Sequence, residues 1–224
     1  MLKKELTKEL LEWIAKLNAE CLDEIIKLIL KAIKDSANKS ASEIDAIWMN
    51  LIKLILDIIY KYLEIIYKKV LELIKKIYPK VDKIKDINID DLTWQEDGKS
   101  IEDRIITYCQ YAAEALKNND EHIKDTLIYN MMRIIDTESI TIANQMLKKR
   151  VSKIYKFGQV IGDGCPSCIP RTKKIVPVEE LDWPPYHPNC SCFFMAYEAD
   201  EDEKRDLFPE YFPEDEDDFE EEGY

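Results

Sequence analysis

From Met1 to Tyr78 the chain contains neither glycine nor proline, and that absence constrains the fold more than any other feature. Glycine interrupts helices through backbone entropy, and proline through a missing amide hydrogen and a ring clash. A stretch this long without either, with apolar residues returning every third or fourth position, predicts long helices. In the first, over about residues 3–34, Ile14, Leu17, Cys21, Ile25, Leu28 and Ala32 share one face, so Cys21 reads as a small core residue. The polar linker DSANKSASE follows, in which Ser40 and Glu43 have the spacing of a capping box. The second helix, about 41–78, carries two parallel apolar seams, one from Leu51 to Ile65 and one from Ile52 to Ile77. A helix apolar over most of its circumference must be covered on more than one side, as the centre of a bundle or as a coiled-coil surface for another subunit.

Pro79 stops that helix, and Ser100 with Asp103 offers a second cap, opening a helix over about 101–117. Ile105, Cys109, Ala112 and Leu116 share a face there, so Cys109 also reads as core. Further helix is expected over about 121–157, bent around Asp136 to Ser139 and terminated by Gly158. His122 lies near a helix start, far in sequence from any cysteine cluster, and reads as a surface histidine. After Gly158 helical periodicity ends: three of the five glycines and six of the nine prolines fall between Gly158 and Pro188. Such a segment holds too few apolar residues for a core of its own, so something else must fix it.

The expected fold class is therefore mainly α: an elongated helical bundle with a small loop-rich Cys/His zinc knuckle and an acidic C-terminal tail. Its parts are an N-terminal long-helix region (1–79), a helical core (80–157), the knuckle (158–197) and the tail (198–224). Charge separates the last part from the rest, because 15 of the 45 acidic residues and only two of the 32 basic ones follow Tyr197. The remainder is neutral and gives no sign of a strongly basic face, which argues against nucleic acid as the main source of affinity. The tail is either solvated or an interaction arm, with Leu207, Phe208, Tyr211, Phe212 and Phe219 interleaving its charges. Neither a secretory signal nor a membrane span is visible, and synthesis in a reducing cytoplasm is expected, where clustered cysteines are more often metal ligands than disulfides.

Cys165, Cys168, His187, Cys190 and Cys192 are the candidate ligands. Cys165-x2-Cys168 places two thiols on one side of a tight turn, and His187-x2-Cys190, further along at a separation usual for structural zinc sites, can supply the other half of a tetrahedron. Structural zinc held by four of the five is the expectation, with Cys192 or His187 the one left out; a disulfide pair in an extracellular particle and inert thiols are the alternatives. A full Cys/His shell leaves no open coordination position, and no oriented carboxylate or oxyanion feature accompanies His187, so an enzyme is not expected. An HNH-type nuclease would need histidines beyond the metal ligands.

The order CPSC, then PPYHPNCSC, resembles the C-terminal signature of phage head morphogenesis proteins, the minor head proteins of the phage Mu F type. Upstream, DTESITIANQ, with Thr137, Glu138, Ala143 and Asn144, is similar to the helix that precedes the knuckle in that family. WQEDGKSIEDRI, with Trp94, Gly98 and Arg104, is similar to an earlier family segment, so the likeness covers about residues 94–194. Asp136 and Ser191 stand where the family carries arginines. The resemblance implies a minor structural protein of a tailed-phage virion, located at the portal vertex of the capsid and acting in head assembly, DNA packaging or ejection. Its implied partners are the portal protein, the major capsid protein or both, docked by the N-terminal helices, with packaged DNA as a possible further contact. The alternative reading is a zinc-knuckle module of regulatory or toxin-like type that binds a host protein.

Overall fold

A computed structural model describes residues 2–78, 89–93, 99–118, 120, 122–162, 165–172, 174–188 and 190–197. Trp94, Gly98 and the whole acidic tail lie outside the described residues. Four helices dominate: α1 Leu2–Ser36, α2 Ala41–Ile77, α3 Ile101–Lys117 and α4 Ile123–Arg150. Both capping boxes form. Glu43 N–H donates to Ser40 Oγ at 3.4 Å while Glu43 Oε2 accepts from Ser40 N–H at 2.9 Å, and Ser100 with Asp103 makes the same exchange at 3.1 Å in each direction. At 35 and 37 residues, α1 and α2 are each roughly 50–55 Å long.

The two apolar seams of α2 decide the arrangement. α2 and α4 each pack on all three other helices, with α1 and α3 flanking them. Trp48, Ile55, Ile59, Leu63 and Ile66 are thereby buried, which makes α2 one of two central helices. Polar links fix its register on α1: Tyr62 Oη donates to Glu24 at 2.8 Å and Trp48 Nε1 to Ser36 Oγ at 3.2 Å. Met49, Leu54, Tyr60 and Ile65 of α2 stay exposed. Among the described residues no helix is long and apolar enough to cross a membrane.

Around Asp136 to Ser139, where the sequence suggests a bend, α4 is continuous. A polar run breaks a helical pattern when water is its only partner, but here each group finds one inside the bundle. Asn18 Nδ2 of α1 donates to Asp136 Oδ1 at 2.9 Å, the Ser139 hydroxyl is shared between Asn18 Oδ1 at 2.8 Å and Ile135 O at 2.7 Å, and Arg104 of α3 pairs with Glu138.

The helix also ends earlier than the sequence suggests, and the segment after it is not loop alone. A three-stranded antiparallel sheet forms, β1 Phe157–Ile161, β2 Ile175–Pro177 and β3 Phe193–Tyr197, in the order β2-β1-β3. Strands this short cannot show alternation against so many prolines and glycines. β3 packs on α4, and the apolar core runs without interruption from α1 into the sheet. Gly158 is consequently no helix terminator. It lies in β1, where a Cβ atom would stand 2.7 Å from Phe194 Cζ on the paired strand and closer still to Cε2. Gly158→Ala should cost about 1–3 kcal/mol through overpacking. Adding Phe194→Leu should return part of that loss in urea denaturation, whereas an equal loss with or without the smaller ring would contradict the close-approach explanation.

Candidate metal centre

Two short turns build the centre. The amides of Cys168 and Ile169 donate to Cys165 O at 2.9 and 3.0 Å, which folds the first Cys-x2-Cys tightly enough to bring both thiols together. Cys190 N–H donates to His187 O at 3.1 Å and repeats the turn in the second half. Arg171 ties the halves to one another: its Nη1 donates to Ser167 O at 2.6 Å, its Nε bonds Asp182 at 2.8 Å, and its guanidinium lies 5.0 Å from the Tyr186 ring centroid.

All five predicted ligands converge. His187 Nε2 lies 3.1 Å from Cys165 Sγ and 3.2 Å from Cys168 Sγ, and Cys168 Sγ lies 3.7 Å from Cys190 Sγ. Cys165, Cys168 and His187 form one group, and Cys168, Cys190 and Cys192 another, each with its donor atoms within 4.8 Å of one another. Cys168 belongs to both. His187 and Cys192, one of which the sequence reading leaves out of a four-ligand set, both lie within the cluster.

The donor set fits a metal ion. Two thiolates on one tetrahedral zinc, each at ~2.3 Å, stand ~3.8 Å apart, and the sulfur–nitrogen edge is a few tenths of an ångström shorter. His187 Nδ1 lies 2.8 Å from the Pro188 carbonyl, an outer contact in which Nδ1–H donates to the carbonyl and leaves the Nε2 lone pair facing the sulfurs. That carbonyl, followed by Cys165, also raises the His187 pKa. The thiols are forced into unequal states. Hydrogen bonding from Cys168, then His187, lowers the Cys165 thiol to about 7, whereas burial raises Cys168 and pushes Cys192 up to about 12. Burial thus disfavours the thiolate at Cys168 and Cys192, and a divalent cation would reverse that by supplying positive charge.

Residues outside the ligand set hold it in place. Asn144, buried in α4, donates from Nδ2 to Cys192 O and accepts from Phe194 N–H, both at 2.9 Å. Ala196 N–H donates to the Tyr78 hydroxyl at 3.2 Å. Together they cover the edge of β3 opposite β1, which would otherwise carry buried unpaired backbone groups. Gly162 is required for a different reason: a Cβ there would meet Cys192 Sγ at 2.5 Å. Sequence reasoning named Asn144 only through the family likeness and gave Tyr78, Gly162 and Arg171 no role.

The two remaining cysteines are elsewhere. Cys21 and Cys109 are 1% and 0% exposed in the helical core, where burial pushes each thiol up to about 12. His122 is exposed at the start of α4. Asn144→Ala leaves a buried carbonyl and a buried amide without partners, and should cost about 2–4 kcal/mol. Hydrogen exchange at the Phe194 amide should accelerate accordingly while the α1–α2 interface keeps its protection.

Comparison with protein-family models, with curated proteins and with solved structures finds no match for this chain.

Proposed function

We propose that the protein is a minor structural component of a tailed-phage head, located in the virion at the portal vertex. Its helical body binds portal or capsid subunits, and its Cys/His cluster holds a structural zinc ion through four of the five donors. One observation carries this reading: Arg104, Glu138 and Asn144, three of the positions on which the likeness to minor head proteins rests, join the helices to the cluster. Arg104 and Glu138 connect α3 to α4, Asn144 connects α4 to the backbone around Cys192, and the five cysteine and histidine side chains meet at the far side of that contact. Such spending of polar groups on internal joints suits an assembly protein. Exposed Met49, Leu54, Tyr60 and Ile65 on α2 offer apolar contact to a neighbouring subunit. A four-ligand shell leaves zinc no open position, so the metal organises the fold and no turnover is expected.

The test is quantitative mass spectrometry of purified particles, with this chain counted against the portal protein. A fixed ratio of a few copies, or one ring's worth, per particle is expected. Absence from both virions and proheads would sink the head-protein reading and leave a metal-dependent protein-binding module. Elemental analysis of the purified chain tests the metal separately, and zinc at one ion per chain is the expected value.

A further inference from the structure

The neutral balance of residues 1–197 conceals a local excess. Residues 148–176 hold eight lysines and arginines against one acidic residue, Asp163, whereas the segment after Tyr197 holds 15 acidic and two basic ones. The overall balance therefore hides a basic stretch that begins at the end of α4. A cleft of about 670 Å³ opens there, with Lys148, Tyr155, Lys156, Val178, Leu181 and Trp183 on its walls. Lys148 and Lys156 are exposed, and among the described residues neither forms an ion pair; Lys148 Nζ lies instead 5.7 Å from the Trp183 ring centroid. Trp183 is held from behind by Phe194, with ring centroids 4.5 Å apart. Glu179 is the one acidic residue on the wall.

A complementary segment is attached at this place. Tyr197, the last residue of β3, pairs with Phe157, and Phe157 lines the cleft. The stretch from Glu198 to Leu207 can span up to ~33 Å, so reach does not limit contact. We infer that the cleft docks residues 198–224 of the same chain, with carboxylates on Lys148 and Lys156 and the Leu207, Phe208, Tyr211 and Phe212 group against the apolar wall.

Both halves of the match are needed. Exposed ion pairs alone are weak and screened by salt, while a Trp-lined, partly apolar cleft gives aromatic side chains a place to bury. Tethering raises the effective concentration to the order of 1 mM, so a contact too weak to hold a free peptide is still populated. Docking would shield the basic patch, and a partner that takes these lysines must displace the segment. The inference does not depend on the partner proposed above, but it needs residues 157–197 folded, because Phe157, Val178, Leu181 and Trp183 form the apolar wall.

The experiment couples carboxylates to lysines in the full-length chain with a zero-length carbodiimide, at about 0.05 M and about 0.5 M salt. Cross-links are then mapped in the monomer-sized fraction. Links from Lys148 and Lys156 to the carboxylates between Asp206 and Glu214 should exceed those from Lys31 and Lys53, exposed on α1 and α2, by on the order of tenfold, and should fall at high salt. A variant with Leu207, Phe208, Tyr211 and Phe212 all changed to Ser keeps every carboxylate and every residue of the helices and sheet, and should lose most of the enrichment. An even spread over surface lysines overturns the inference. So does enrichment confined to dimer-sized species, which would assign the segment to the cleft of a second copy.

Discussion

Replacing Cys168 by serine is expected to abolish metal binding and to unfold the sheet and turns of residues 157–197 while the four helices remain folded. Cys168 is the one side chain common to both ligand groups, so its loss leaves neither group intact. Removing Cys192 leaves Cys165, Cys168, His187 and Cys190, still a possible four-ligand set, and should be milder. The magnitude follows from what else could hold this segment. Its strands are short, and metal ligation in comparably small zinc modules contributes about 10–16 kcal/mol, more than the net stability of most domains. Chelation of the unaltered protein should have the same result. Helical circular dichroism should be largely retained, while tryptic cleavage after Arg171 and Lys174 should accelerate by roughly tenfold or more as the open state becomes populated. A thermal profile and cleavage rate unchanged after complete metal removal would show that the contacts of Asn144, Tyr78 and Phe194 suffice, and the structural-metal proposal would fall.

Most of the helical architecture was legible because its signals are local. The freedom from glycine and proline up to Tyr78, the two capping boxes and the double seam of α2 each depend on residues within a few turns of one another, and all four helices followed. Four of the five candidate ligands were legible for the same reason, since the Cys165/Cys168 and His187/Cys190 pairs are each a single turn, with Cys192 close behind. What failed was whatever depends on a distant partner. The polar run Asp136 to Ser139 gives no hint of its partners until Asn18, remote in the chain on α1, and Arg104 are placed against it. Gly158 looks like a helix end until Phe194 is placed over it. The sheet was invisible because its strands pair across the cysteine turns, and an average over the whole body of the chain hid the basic stretch at the end of α4.

Arg104 and Glu138 yield the second large effect. Their side chains are 5% and 0% exposed, so both charges have left water, and the ion pair offsets a desolvation cost of several kcal/mol for each. Glu138→Ala leaves the guanidinium buried without its carboxylate and should lower stability by about 3–5 kcal/mol, and Arg104→Ala should do the same in the opposite sense of charge. Both side chains make other contacts, so each single substitution removes more than this pair, and only the double-mutant cycle isolates it. The combined change Arg104→Met with Glu138→Leu removes both charges while keeping similar volume, and should restore most of the loss or exceed the original stability. Urea midpoints of the four proteins decide the point, and additive losses would mean that the two charges do not act as a pair. Metal affinity measured on the apolar double variant then separates two roles. If stability returns but affinity stays low, the pair positions α4, and through Asn144 the Cys192 backbone, for ligation. If both return, the pair serves only to join α3 to α4, and the cluster takes its geometry from the turns and the sheet.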